Sequence, residues 1–586
     1  MSDLLFRKVD YTVGKLLEDI AIGDIGLPDI QRPFVWDTAR VRDLFDSMYR
    51  GYPVGTLLFW ENDHSGAHRA IGVEGKQKPP HLLIVDGQQR LTALYAVMKG
   101  EQIVDKDFRR RHLRIAFNPC KGTFEVTNTA IERDVEWIAD IGVLWQSDFR
   151  AYSFISSFLE RLGERRELNA EDRESVSSRI QRLVNLINYP MTALEISLHA
   201  TEEEVSEIFV RINSQGRTLN QADFILTLMS VFWDEGRKAL EEFARRAKEA
   251  PADNRPSPYN PYFKPAPDQL LRVDVAYAFR RARMEDVYTI LRGKDLQTRE
   301  FSEQRREEQF QRLREAQVQV LDLQHWHDFL KVLHGAGYSH PSLITSENAI
   351  VYTYALWLIG RRDLGLDQHS LRKLMARWFF MSSLTGRYTT SPETRMDQDL
   401  ALLRNLTRPE EFVRVLEQEM SAVLTTDYWD VTLPNELVGA AHRNRGQAAF
   451  YAALCILDAP VLYSSASVRS LLDPLSRGMR ANLERHHLFP RQYLKRQGVT
   501  GRRDLDQVAN FALVEWHDNN DIRDQAPHEY APVYESRFDS ETLTRMYEFH
   551  ALPQRWYEMA YEEFLTERRK RMAAIIRRGF EQLSAH

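Results

Sequence analysis

The hydrophobic rhythm of this chain changes once, near Phe232, and that change limits the folds open to it. Before it, apolar runs of strand length alternate with helical spacing. TLLFW at 56–60 and HLLIV at 81–85 suit buried strands, and DTARVRDLFDSMYRG from Asp37 repeats its apolar residues at helical intervals. Asp37 is placed to cap that helix and Gly51 to end it. After Phe232 the pattern is helical and heavily charged as far as Pro434, most clearly in FSEQRREEQFQRLREAQVQVLDLQHWHDFL from Phe301. A Pro-rich stretch from Pro251, PADNRPSPYNPYFKPAPDQ, cannot be helical throughout and reads as a loop or an interdomain connection. There is no internal repeat of fixed period, which argues against a solenoid. The expected class is an α+β multidomain protein: an α/β domain over 1–231, a helical middle region over 232–434, and a largely helical C-terminal domain over 435–586.

Charge then restricts the partners. With 78 Lys+Arg against 84 Asp+Glu, the net charge of −6 excludes a uniformly basic DNA-coating protein, so any polyanionic partner must be met by locally concentrated charge. Such a concentration exists: 477–503 holds eight Lys/Arg against one acid, Glu484, or 8 − 1 = +7, and RRKR follows at 568–571. Cys120 and Cys455 are too few for a disulfide framework or a Cys-based zinc site, which suggests a reducing, cytoplasmic setting. The N-terminus mixes charges and lacks the apolar run of a signal peptide. The most apolar window, AAFYAALCILDAPVLY from Ala448, is broken by Asp458 and Pro460 and is shorter than the ~20 residues of a membrane helix. It reads as a core helix and its exit, and no membrane partner is expected.

Two constellations carry chemistry. In ERHHLFPRQYL, His486 and His487 precede an apolar pair and Pro490; in ANFALVEWHDNND, Asn510 and Asn519 are nine apart, with Asn520 next. Adjacent strand residues point to opposite faces, so both histidines serve one site only where the strand bends or ends. The chemistry suited to this set is single-metal phosphodiester hydrolysis: a neutral imidazole takes the proton of the attacking water while a cation, held by a His and an Asn oxygen, stabilises charge on the phosphate. Taken alone, an HH pair is more often a structural one.

The second constellation has three parts: DIQRPFVWD with Gln31 and Arg32; LLIVDGQQRLTAL with Asp86, Gly87, Gln88, Gln89 and Arg90; and FVRINSQGRTLNQADF with Arg211, Asn213, Ser214 and Gly216. A strand feeding a Gly turn at a helix start favours phosphate, through free backbone N–H groups and the helix dipole. Arg90 would add a fork of donors, and Asp86 a hold on a cation or water. There is no P-loop and no dinucleotide fingerprint, and a purely structural turn explains the residues equally well.

The order His-His-apolar-apolar-Pro, then Asn, then a second Asn nine positions on, resembles the ββα-metal module of the HNH nucleases. The resemblance implies His487 as general base, Asn510 as the brace of the loop, and Asn519 as a metal ligand, with Asn520 and His517 near enough to substitute. His486 would be the other metal ligand, in a position usually held by Asp. Arg477, Arg480, Arg485, Arg491, Lys495 and Arg496 would contact DNA phosphates. QRPFVW, VDGQQRLTAL and FVRINSQGRTLNQADF, with WFFMSSLTGRYTTSPET from Trp378, resemble the GmrSD-type restriction endonucleases, whose N-terminal domain is related to the ParB nucleotide-binding fold.

That resemblance implies binding and hydrolysis of a nucleoside triphosphate, GTP or another, by Asp86, Gly87, Gln88, Gln89 and Arg90, with Gln31, Arg32, Arg211 and Asn213 beside them. It further implies a divalent metal, Mg²⁺ or Mn²⁺, and cleavage or nicking of modified double-stranded DNA, the modification being phosphorothioate or a modified cytosine. The setting would be anti-phage defence, and a homodimer would follow if a double-strand break needs two sites. Two competing readings are a nucleotide-gated DNA-binding regulator with an inactive nuclease module, and a toxin-like nuclease acting on any DNA.

Overall fold

The computed structural model describes residues 4–26, 34, 36–61, 80–104, 110–200, 204–205, 208, 221–251, 255–294, 298, 302–440, 444–472 and 483–585. Gln31, Arg32, Arg211, Asn213, Ser214, Gly216, Arg477 and Arg480 lie outside the described residues. The chain divides into two compact units, Met1–Asn220 with Ser230–Phe232, and Gln221–Met229 with Trp233–His586. The 434/435 division expected from sequence falls inside the second unit.

The first unit is built on a five-stranded mixed sheet. Its strands are β1 (Phe6–Thr12), β2 (Ile25–Gly26), β3 (Leu57–Glu61), β4 (Leu82–Asp86) and, after two short two-stranded pairs, β9 (Pro190–Ile196), in the order β1-β9-β3-β4-β2. The pairs are β5 (Gln102–Val104) with β6 (Arg110–His112), and β7 (Ile115–Asn118) with β8 (Thr123–Val126). β3 sits centrally, parallel to β9 and antiparallel to β4. That position explains why Leu57, Leu58 and Phe59 are all buried, since a central strand covered on both faces reads as a continuous apolar run.

The helix Thr38–Arg50 begins where Asp37 accepts a hydrogen bond from the Arg40 N–H and ends at Gly51 in the left-handed region, φ 78°. Its Val41, Phe45 and Met48 enter one core with Leu16 of the helix Val13–Ala21 and Leu91, Leu94 and Met98 of the helix Gln88–Lys99.

Among its described residues, the second unit consists of helices and their connections apart from one strand pair. The stretch from Phe301 forms two helices, Glu303–Val320 and Leu323–Gly335, because Asp322 between them caps the second by accepting from the His325 N–H. In the Pro-rich segment, the described residues from 255 are non-helical until Pro267 opens the helix Pro267–Phe279. The apolar window forms the helix Arg445–Ile456, buried on every side from Gly446 to Cys455, as a helix at the centre of a large core must be.

The segment from Trp378 ends in a buried ion pair: Arg387 meets Asp399 and Glu419, Tyr388 donates to Asp399, and the Arg387 guanidinium lies over the Trp378 ring. No described helix is long and apolar enough to cross a membrane.

Candidate functional sites

In the first unit, β4 ends at Asp86, Gly87 turns with φ 97°, and the helix Gln88–Lys99 starts without a side-chain cap. The strand, turn and helix are as the sequence suggests, but Arg90 is turned inward. Its guanidinium donates to the backbone carbonyls of Val54 (2.9 Å) and Thr56 (2.8 Å) and to the Asp86 carboxylate (3.1 Å). Two glycines make room for it. A Cβ on Gly55 would lie 2.5 Å from Arg90 Nη1, and one on Gly87 would lie 2.3 Å from Leu57.

Arg90 therefore closes the turn onto the neighbouring loop, where the sequence reading had it offer a fork to phosphate. Asp86 is its counter-ion. Gln88 and Gln89 stand half-buried in the first helical turn.

In the second unit, β10 (Leu483–His487) pairs antiparallel with β11 (Phe511–Glu515), with His486 opposite Ala512 and His487 opposite Phe511. β11 runs directly into the helix Trp516–Ile522. Strand alternation puts Glu484 and His486 on one face and Arg485 and His487 on the other. The contacts agree: Glu484 and His486 both meet Asn519 of the helix, whereas His487 packs on the Phe511 ring and meets Asp506.

Asn510, fully buried, joins the strands at their shared end. Its side-chain oxygen accepts from the Phe489 N–H (2.8 Å), its amide donates to Phe489 O (3.0 Å) and Leu505 O (3.2 Å), and its own carbonyl accepts from Leu488 N–H (2.8 Å). It locks the apolar pair before Pro490 in place.

His486 Nδ1 stands 2.9 Å from Asn519 Oδ1, and its Nε2 stands 3.3 Å from the Tyr530 hydroxyl. Burial pushes its pKa down to about 4, against the opposing effect of Asn519, so the ring is neutral at physiological pH. Among Asn519, Asn520 and His517, the structure brings Asn519 to His486; the other two are exposed.

His487 is also pushed below the ordinary imidazole range by burial, with Asp506 opposing. Its Nε2 lies 3.1 Å from Asp506 Oδ1, and Arg491 grips the same carboxylate with Nε at 2.8 Å and Nη2 at 2.6 Å. Burial alone would raise the Asp506 carboxyl, but Arg491 and His487 hold it below its usual value.

A neutral imidazole nitrogen and an amide oxygen within 3 Å of each other suit a divalent cation. Among the described residues, no group of three or more His, Cys, Asp and Glu side chains is arranged to hold a metal.

Arg485, Lys495 and Arg496 are exposed, though Arg485 reaches Gln447 (3.5 Å) and Arg496 donates to Asp524 O (3.0 Å). The expected basic patch is trimmed in two places. Arg491 serves Asp506, and Arg568 of the RRKR run is fully buried, donating to Ala509 O (2.7 Å), Phe511 O (2.9 Å) and His550 O (3.1 Å). Among the described residues no carboxylate pairs with it, and burial pushes its pKa down to about 9. It clamps the carbonyls on either side of Asn510.

Sequence reasoning passed over Asp506, Tyr530 and Glu484. Of these, Glu484 alone had a signal, standing two residues before His486 and so on the same strand face.

Residues 13–230 match the family model described as GmrSD restriction endonuclease, N-terminal domain. Most of the first unit is thus similar to a GmrSD-type N-terminal domain. The match takes in the Asp86–Arg90 turn and every strand of its sheet but β1, and it stops short of the β10–β11 module. The chain is also 22% identical over 553 residues to an uncharacterized protein of Methanocaldococcus jannaschii, MJ0686, covering 87% of this chain and 84% of that one. The likeness to MJ0686 thus extends well beyond the GmrSD-type domain into the helical unit.

Proposed function

We propose that this chain is a restriction-type DNA endonuclease that cuts or nicks phosphodiesters at the β10–β11–helix module, under control of nucleotide hydrolysis in its GmrSD-type domain. The observation that carries the reading is the placement of His486 and Asn519 2.9 Å apart on one side of the strand pair, with His487 on Asp506 at its end. A divalent cation, Mg²⁺ or Mn²⁺, held by His486 and Asn519 would stabilise charge on the scissile phosphate.

The chain's own residues supply the rest. A carboxylate only accepts, so His487 donates Nε2–H to Asp506 and keeps its Nδ1 lone pair for the proton of the attacking water. Asn510 and Arg568 hold the strand ends that position this imidazole. Arg485, Lys495 and Arg496 engage backbone phosphates of double-stranded DNA. In the first unit, the uncapped start of the helix Gln88–Lys99, with Gly87, Gln88 and Gln89, receives the phosphates of a nucleoside triphosphate, and Arg90 with Asp86 holds the turn in shape. Nucleotide state alters cleavage only if the two conformations differ in affinity for it. The substrate is DNA carrying a phosphorothioate or modified cytosine, and two chains act together for a double-strand break.

The test is His487→Ala assayed on unmodified, methylated, hydroxymethylated, glucosylated and phosphorothioated DNA with Mg²⁺ or Mn²⁺. Loss of cleavage on the order of 10³-fold is expected, with nucleotide hydrolysis intact. Cleavage that survives the substitution overturns the site. A wild-type protein that cuts none of these DNAs overturns the reading in favour of a nucleotide-gated DNA-binding regulator.

A further inference from the structure

Three polar contacts in line, Leu488 O to the Tyr530 hydroxyl, that hydroxyl to His486 Nε2, and Nδ1 to Asn519, share two protons, one phenolic and one imidazole. The carbonyl of Leu488 can only accept, and the Tyr530 hydroxyl lies 2.7 Å from it, so the single phenolic proton goes there. His486 Nε2 faces the same phenolic oxygen at 3.3 Å and bonds to it only as a donor. In the Nε2–H tautomer a lone pair is left on Nδ1; in the Nδ1–H tautomer the ring donates to Asn519 Oδ1 and the longer Nε2 contact goes without a proton.

On the other side of the ring, the Glu484 carboxylate can only accept, so the Asn519 amide turns its NH₂ toward Glu484 and its oxygen toward His486. In the Nε2–H tautomer of His486, two lone pairs, on Nδ1 and Oδ1, then face each other at 2.9 Å. Either a second proton on His486 or a metal cation fills that gap. His486 is 3% exposed, and burying an imidazolium there is costly. Ligands about 2.1 Å from a Mg²⁺-sized ion stand roughly 3.0 Å apart when adjacent in an octahedron, which matches the spacing found.

We propose that Glu484 is the residue that converts His486 and Asn519 into a cation site, by fixing the Asn519 amide with its oxygen toward His486 and by supplying the negative charge the pair lacks. The proposal rests on the nuclease reading above and adds a positioning residue to it. Without Glu484 the amide is free to rotate, present its NH₂ to Nδ1, and satisfy both groups with an ordinary hydrogen bond. The cation would then lose an oxygen ligand as well as a compensating charge. Glu484 reaches this role from β10 because it shares the face of His486, where the intervening Arg485 cannot.

The experiment is Mn²⁺ titration of the full chain by calorimetry, with electron paramagnetic resonance to count bound ions, for the wild type, His486→Ala, Glu484→Met and Glu484→Gln. Thermal melts verify folding. Glu484→Met, which removes both acceptor and charge, should weaken the His486-dependent Mn²⁺ site by about 10–100-fold, the range for residues that orient a metal ligand. Glu484→Gln, which keeps an acceptor oxygen, should weaken it less, and it decides the matter if the Met variant does not fold. If His486→Ala loses the ion while both Glu484 variants bind it like wild type, the role of Glu484 is overturned and the nuclease reading stands. If His486→Ala leaves Mn²⁺ binding unchanged, the cation site itself falls, and the role of Glu484 with it.

Discussion

The turn that follows β4 and the module built on β10 each join a strand to a cluster of polar residues, yet they differ in what their polar groups have left to do. In the first unit Arg90 donates to two carbonyls and to Asp86, so these side chains are engaged within the protein and only the backbone start of the helix is left uncapped. In the second, the Nε2–H tautomer of His486 sets two acceptors, Nδ1 and Asn519 Oδ1, against each other. Buried polar groups are almost always paired, so the first pattern is what structure alone requires, whereas the second closes only in the other tautomer or around a cation. The lesson is that a polar motif becomes a candidate for chemistry when its hydrogen bonds fail to close.

The sharpest way to break this comparison is through the two inward arginines, Arg90, a candidate for phosphate contact, and Arg568, one of a basic run, because both donate to backbone carbonyls. Arg568 is the larger case. Replacing it with Met orphans the carbonyls of Ala509, Phe511 and His550 in a fully buried site. Each unsatisfied acceptor costs about 1–3 kcal/mol, so Arg568→Met should destabilise the second unit by roughly 3 kcal/mol or more, read as a fall in its urea midpoint, and DNA cleavage should fall with it. Arg571→Met, on the exposed face where Arg571 pairs only with Glu567, should stay within about 0.5 kcal/mol of wild type. Equal effects at the two positions would mean that the clamp is not what Arg568 provides.

Arg90→Met is expected to cost less, about 2 kcal/mol, since only two carbonyls and a half-exposed carboxylate lose their donor and water can reach the latter. The measurement is again denaturant unfolding, now followed by a probe in the first unit. Nucleotide affinity should fall only as far as the turn loosens. A normal melt combined with complete loss of nucleotide binding would show Arg90 reaching ligand directly, and the contrast between the two units would narrow.

How far these features could be read from sequence depends on the range over which they are decided. Asp37 and Gly51 end their helix through bonds made within a few residues, and the strands at β3 and β4 follow from uninterrupted apolar runs, so these were legible. Part of the second unit was ordered by the sequence as well: His486 and His487 lie on β10, Asn510 in the turn that leads into β11, and Asn519 on the helix that follows it. The inward turn of Arg90 was not, since it depends on carbonyls 34 and 36 residues earlier and on the space left by Gly55. Arg568 hid for the same reason: within RRKR nothing distinguishes it, and its burial is set by strand ends 57 and 59 residues away. Charge runs report composition, whereas which members reach solvent is decided by packing.

The smallest expected effect concerns His487, and it sharpens the comparison most finely because Arg491 again serves another protein group, this time a carboxylate. Asp506 Oδ1 lies 3.1 Å from His487 Nε2 and is held by Arg491 from the other side. Asp506→Asn keeps an oxygen that can accept from Nε2–H but loses the charge and the grip of Arg491, so the imidazole is less firmly oriented. Turnover should fall about tenfold, toward the lower end of what positioning of a general base contributes, with KM for DNA nearly unchanged. Asp506→Glu should restore part of the loss. Arg491→Gln separates the two roles open to that arginine. If it acts on Asp506, it reproduces the turnover defect of Asp506→Asn, and the double variant is no worse than either single one, as expected for residues acting as one unit. If it contacts DNA instead, KM rises, the salt dependence of binding weakens by about one phosphate contact, and turnover at saturation holds. A rise in KM would thus return Arg491 to the DNA surface, while a shared turnover defect would place it behind His487.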